Sequence, residues 1–157
     1  MSGGGGFRPP WRRSRPAAAI EHVPPAVQGH IDSISPGPQA VRRAREAVTG
    51  RLPAVGVTPG SAFADAVLLV TSELVVNVLR HAPTSPVIDV GITVEAGQLI
   101  VSVADAEPRL PDLGGEGMGA GLRMVAELVA DYDGDLSAEP AVDYDGKVVR
   151  VRFGIPS

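Results

Sequence analysis

The chain has 157 residues, 44% hydrophobic and 20% charged, a balance that folds as one domain around its own core. Its formal charge is −4, and its one basic cluster, Arg8 to Arg15, lies near the N-terminus, which argues against a nucleic-acid backbone as main partner. Cysteine is absent, which excludes disulfides, thiolate metal sites and cysteine nucleophiles, and no run approaches about 18 apolar residues, so a soluble cytoplasmic protein is expected.

Residues 1–30 hold Gly3 to Gly6 and a scatter of prolines without any apolar period, and are expected to form a disordered tail ahead of a domain at 31–157. Ile31 to Ser35 reads as a short strand before the breaker Pro36-Gly37-Pro38. Val41, Ala44, Ala47 and Val48 then recur at helical spacing between Gln39 and Leu52. A second helix opens after Thr58-Pro59-Gly60-Ser61, where Ser61 can cap it and Asp65 suits the helix dipole. Its apolar stripe is Phe63, Val67, Val70, Leu74 and Val78, and Pro83 closes it.

Strict alternation follows in Ile88, Val90, Ile92 and Val94, then a turn at Glu95-Ala96-Gly97-Gln98, then a second strand from Leu99 to Ala104. Asp105 to Glu116 is a polar loop with proline and glycine. Gly121 to Asp131 is helical, Leu136 to Val142 a strand, Asp145-Gly146 a hairpin turn and Lys147 to Phe153 a last strand. Helices alternating with mostly antiparallel strands predict an α+β fold, a two-layer α/β sandwich with helices on one face of the sheet.

Three signals carry chemistry. Glu73, Asn77 and His81 stand four residues apart on the second helix. Each such step advances about 40°, so they form one polar stripe. An amide oxygen suits Mg²⁺, which takes hard oxygen ligands, and a carboxylate one turn away can accept a proton from an oxygen attacking a phosphate. Asp105, at the exit of a strand, can accept a hydrogen bond from an exocyclic amine, although a loop aspartate is the commoner role for such a residue. The run Gly114-Gly115-Glu116-Gly117-Met118-Gly119-Ala120-Gly121 leads into a helix N-terminus, where backbone N–H groups favour anions. It is neither a Walker A nor a Rossmann sequence, and a flexible linker is the alternative.

Order and spacing tie the three together. Glu73-Leu74-Val75-Val76-Asn77-Val78-Leu79-Arg80-His81-Ala82 resembles the N-box of the GHKL ATPases, in the form found in anti-sigma-factor serine kinases and their actinobacterial relatives. Val101 to Asp105 resembles the strand into the G1 box, Gly117 to Val125 the G2 box, and Gly146-Lys147-Val148-Val149 the closing hairpin of the same small proteins. The similarity runs from about Ile34 to Phe153.

The resemblance implies the GHKL or Bergerat-type ATP-binding fold, with ATP and Mg²⁺ as cofactors. By it, Asn77 ligates Mg²⁺, Glu73 is the general base, Asp105 binds the adenine amine, Gly117, Gly119 and Gly121 line the phosphates, and residues 106–116 form the ATP lid. It further implies a protein serine kinase whose substrate is an antagonist of STAS fold and whose other partner is a sigma factor, with homodimerisation allowed and neither nucleic acid nor membrane bound. The sequence departs from the family at Ala106-Glu107-Pro108, where glycines are frequent, and at Val148, where a hydroxyl often helps to hold adenine. His81 reads as a helix-end histidine rather than a catalytic one. His22 and His30 fall in the expected tail, without the helical dimerisation region of a sensor kinase. A nucleotide-binding switch without transfer, and an interaction domain without nucleotide, are the alternatives; retention of Glu73 favours the kinase.

Overall fold

In the computed structural model, residues 28–114 and 116–156 are described. In chain order they form β1 (Gln28–Ile34), α1 (Ala40–Arg51), a 3₁₀ turn (Pro53–Val55), α2 (Ala62–His81), β2 (Ile88–Glu95), β3 (Gln98–Asp105), α3 (Ala120–Ala130), β4 (Asp135–Pro140) and β5 (Lys147–Gly154). The strands make one five-stranded sheet in the order β1-β2-β3-β5-β4. Every pairing is antiparallel. The expected two-layer sandwich is the observed one.

The alternation in the sequence sets which face is covered. Ile88, Val90, Ile92, Leu99, Val101, Val103, Val149, Val151 and Phe153 form one cluster with the buried faces of the three helices. Helix α2 is the spine of that core: Phe63, Val67, Val70, Leu74 and Val78 are all buried along it. Its length and apolarity are those of a membrane span, but half of that apolar window is buried against the fold, the character of a core helix. Ser61 caps it, accepting a hydrogen bond from Ala64 N at 3.1 Å. From α1, the Arg45 guanidinium donates to Leu68 O at 3.2 Å and Ser72 Oγ at 2.8 Å, tying the first two helices together. Phe63, Tyr132 and Phe153 close one end of the core edge to face, with centroids 5.2 to 6.1 Å apart.

Two boundaries differ from the sequence reading. Strand β1 begins at Gln28, so residues 28–30, including His30, belong to the sheet and not to a tail. The rest of the expected tail lies outside the described residues. His30, Asp32 and Ile34 share the inward face, opposite Ile92, Val90 and Ile88. The polar alternation hid the start of this strand, whose inward Asp32 is satisfied by Arg51 Nε and Nη2 at 3.3 and 3.1 Å. That pairing raises the Arg51 pKa, through the hydrogen bond first and the charge second. The last hairpin turns through residues 141–146, closed by Ala141 N to Gly146 O at 2.9 Å, rather than through Asp145-Gly146 alone. The first hairpin is as expected: Ala96 and Gly97 have φ of 52° and 78°, the left-handed pair of a two-residue turn that matches strand twist.

Candidate functional site

Helix α2 runs beneath the sheet so that its C-terminal half meets the loop 106–119 and the start of α3. A cavity of about 200 Å³ lies there, lined by Asn77 and His81 of α2, Arg109 and Asp112 of the loop, Gly117, Gly119, Leu122 and Lys147. The stripe on α2 and the glycine run therefore converge across one space, as the sequence pattern requires.

The glycine run delivers the start of α3 to this cavity uncapped. Gly119 is the N-cap residue, has no side chain to satisfy the first N–H groups, and no acidic residue stands in the first turn. An open N-terminus with Arg109 in the same lining suits an anion of phosphate type. Glu73 is not among the lining residues. Its carboxylate sits one turn back, against α3: a Cβ on Gly121 would come 2.5 Å from Glu73 Oε1, so only glycine leaves the carboxylate where it is. Gly121 thus acts on Glu73, while Gly117 and Gly119 face the cavity.

Asp105 lies behind the lining, fully buried at the inward end of β3. Its Cα partner across the sheet is Lys147, the first residue of β5. Lys147 Nζ donates to Asp105 Oδ1 at 3.0 Å and to Glu107 O at 3.1 Å. Glu107 N donates to the same Oδ1 at 2.8 Å. Asp105 Oδ2 is buried and accepts no hydrogen bond. A buried acceptor left over costs about 1–3 kcal/mol unless something donates to it, which fits a ligand amine. The approach is tight because residue 146 is glycine: a Cβ there would collide with Asp105 O.

The turn out of β3 is held without the glycines of the GHKL pattern. Ser85 Oγ accepts from Ala106 N at 3.0 Å and donates to Val87 O at 2.9 Å. Farther along, Arg109 N donates to Glu107 Oε2 at 2.9 Å and Gly114 N to Asp112 Oδ1 at 3.1 Å. Short-range Asp and Glu contacts thus brace the proline-bearing loop.

Among the described residues no three His, Cys, Asp or Glu side chains gather into a metal site. The Asn77 side-chain oxygen would therefore hold Mg²⁺ only with phosphate oxygens and waters, which is how that ion is usually bound. Ser85 and Arg109 escaped the sequence reading, and Lys147 entered it only within the closing-hairpin motif, with no role of its own. The pairing of Lys147 with Asp105 became legible only with the β3–β5 register, which joins strands far apart in the chain.

The sequence model of the family described as histidine kinase-, DNA gyrase B- and HSP90-like ATPases matches residues 63–157. No curated protein matches the chain. Among solved structures, the histidine kinase domain of the Erythrobacter litoralis EL346 blue-light-activated histidine kinase is 24% identical, with a TM-score of 0.47 over 59% of this chain and 44% of that one. The Acinetobacter baumannii histidine kinase AdeS is 15% identical, with a TM-score of 0.52 over 82% of this chain and 68% of that one, a likeness of fold. The chain spans less than half of the Erythrobacter domain's length.

Proposed function

Because the chain belongs to the family of histidine kinase-, DNA gyrase B- and HSP90-like ATPases, whose domains bind ATP, we propose that it is a regulatory protein serine kinase. In this reading it moves the γ-phosphoryl of ATP to a serine of a STAS-type antagonist, and it also engages a sigma factor, as a cytoplasmic protein and in homodimeric form. The observation that supports it most is the convergence of Asn77, the uncapped start of α3 and the cavity between them.

The roles follow from placement. The N–H groups at the start of α3, with Gly117 and Gly119, would hold phosphate oxygens. Asn77 would place the metal; Mg²⁺, when bound with the nucleotide, neutralises charge on the phosphates. Asp105 Oδ2 would accept from the adenine amine. Glu73 would take the proton of the serine hydroxyl as that oxygen bonds to the γ-phosphorus and ADP leaves. Positioning and charge stabilisation supply most of the acceleration in such transfers.

Incubation with γ-labelled ATP, Mg²⁺ and STAS-type proteins encoded by the same genome tests the reading. Glu73→Gln should bind ATP within a few-fold of wild type yet transfer about 10²–10⁴-fold more slowly. Asn77→Ala should lose both, with calorimetry showing much weaker Mg²⁺–ATP binding. A nucleotide switch without transfer is the second reading, favoured by the position of Glu73 outside the cavity lining. ATP binding by the wild type with no labelled antagonist would select it, and absence of ATP binding at millimolar nucleotide would defeat both.

A further inference from the structure

We propose that Lys147 is the positioning residue that makes this pocket selective for a 6-aminopurine, by fixing which oxygen of Asp105 a base can reach. The inference rests on the nucleotide-binding reading above and adds to it the residue that sets the choice of base.

The geometry is economical. Asp105 and Lys147 are register partners on the inward face at one end of the sheet, 0% and 3% exposed. The ammonium carries three hydrogens, and two go to Asp105 Oδ1 and Glu107 O. Glu107 N takes the same Oδ1. One carboxylate oxygen is thus saturated by two donors, and the other, Oδ2, is left buried with none. A free aspartate can rotate to offer either oxygen. This one is held at Oδ1 alone, by the loop N–H of Glu107 and by a cation on the next strand.

What remains without a donor is a single charged acceptor, Oδ2, buried behind the cavity wall. An exocyclic amino group donates to it. A 6-oxo purine would set a carbonyl oxygen against it, acceptor against acceptor, with neither side able to rearrange. Lys147 also lines the cavity itself, so the group that orients Asp105 stands where the ligand arrives. Its bond to Glu107 O fixes the first residues of the loop 106–119 in the same frame.

The test compares ATP with inosine triphosphate, which keeps the phosphates and sugar and replaces the 6-amino group by a carbonyl. Calorimetry with Mg²⁺ on the wild-type chain should show ATP bound about tenfold or more tightly over inosine triphosphate, the worth of one hydrogen bond to a charged group. In Lys147→Met the ratio should fall to within about threefold, chiefly through weaker ATP binding, while inosine triphosphate keeps its affinity. A purely structural lysine would weaken both nucleotides alike and leave the ratio intact, which overturns the proposal. Lys147→Gln, uncharged and one bond shorter, gives the same comparison if the methionine variant does not fold. An equal affinity of the wild type for the two nucleotides overturns the proposal without any variant. Binding of neither nucleotide by the wild type is the failure of the nucleotide reading instead.

Discussion

Gly121→Ala tests whether the start of α3 and the carboxylate of Glu73 hold each other in place. A Cβ at this second residue of α3 would lie 2.5 Å from Glu73 Oε1 and 3.6 Å from its Cδ, so the carboxylate must leave its position. Alanine in place of glycine within a helix gains about 0.5–1 kcal/mol. Pushing Glu73 off its rotamer costs about 0.5–1.5 kcal/mol. The two nearly cancel, so Gly121→Ala alone should change stability by less than about 1 kcal/mol. In a Glu73→Ala background the obstruction is gone, and the same substitution should stabilise by about 0.5–1 kcal/mol. The double-mutant coupling is then about 0.5–1.5 kcal/mol, measured by urea denaturation at equal m. Gly119→Ala serves as control, because nothing lies within 4 Å of a Cβ there. A coupling below about 0.3 kcal/mol between positions 73 and 121 would refute the contact and with it the argument that glycine is required there.

Two further predictions concern the fold. Phe153→Ala, which empties a fully buried site stacked edge to face on Phe63 and Tyr132, should destabilise by about 3–5 kcal/mol in urea denaturation; a loss below about 1.5 kcal/mol would mean the ring cluster closes the core less than its geometry implies. A chain beginning at Ala26 should keep its thermal midpoint and nucleotide affinity, whereas one beginning at Ser35 should melt several degrees lower, since it loses β1, buried Ile34 and the Asp32–Arg51 pair. Equal midpoints for the two truncations would show that β1 adds nothing to stability.

The parts legible in the sequence are those governed by a local period. Alternation in Ile88–Val94 and the stripe Phe63 to Val78 are facts about neighbours three, four or two residues apart, and each predicted its element and its buried face. Strand β1 failed that test at its start because its inward face carries His30 and Asp32; only the arginine at the end of α1 makes Asp32 acceptable there. The site divides the same way. Asn77 and His81 share a helix face by spacing alone, and the glycine run announces itself by composition. The pairing of Asp105 with Lys147 depends on which residue of a strand 42 positions away lies opposite, a register fixed by the whole sheet. Ser85, an inconspicuous residue between two prolines, holds the turn after Asp105 for the same nonlocal reason.

The placement of Glu73 bears on how binding and transfer separate in this domain. The groups that would grip a nucleotide (Asn77, the start of α3, and Asp105 behind Lys147) surround the cavity or stand directly behind its wall. Glu73 lies beyond them, one helical turn before Asn77 and lodged against Gly121. Removing its charge should therefore leave the binding groups in place, which is why Glu73→Gln and Asn77→Ala are expected to diverge. General-base action needs the carboxylate within about 3 Å of the hydroxyl it deprotonates, directly or through one water, and such contacts often tighten only in the complex. In the proposed kinase, a protein substrate would bring its serine to the Glu73 side of the cavity, between α2 and the first turn of α3. An antagonist docked there would cover Gly121, so Gly121→Ala, nearly neutral for stability, should depress phosphoryl transfer more than ATP binding.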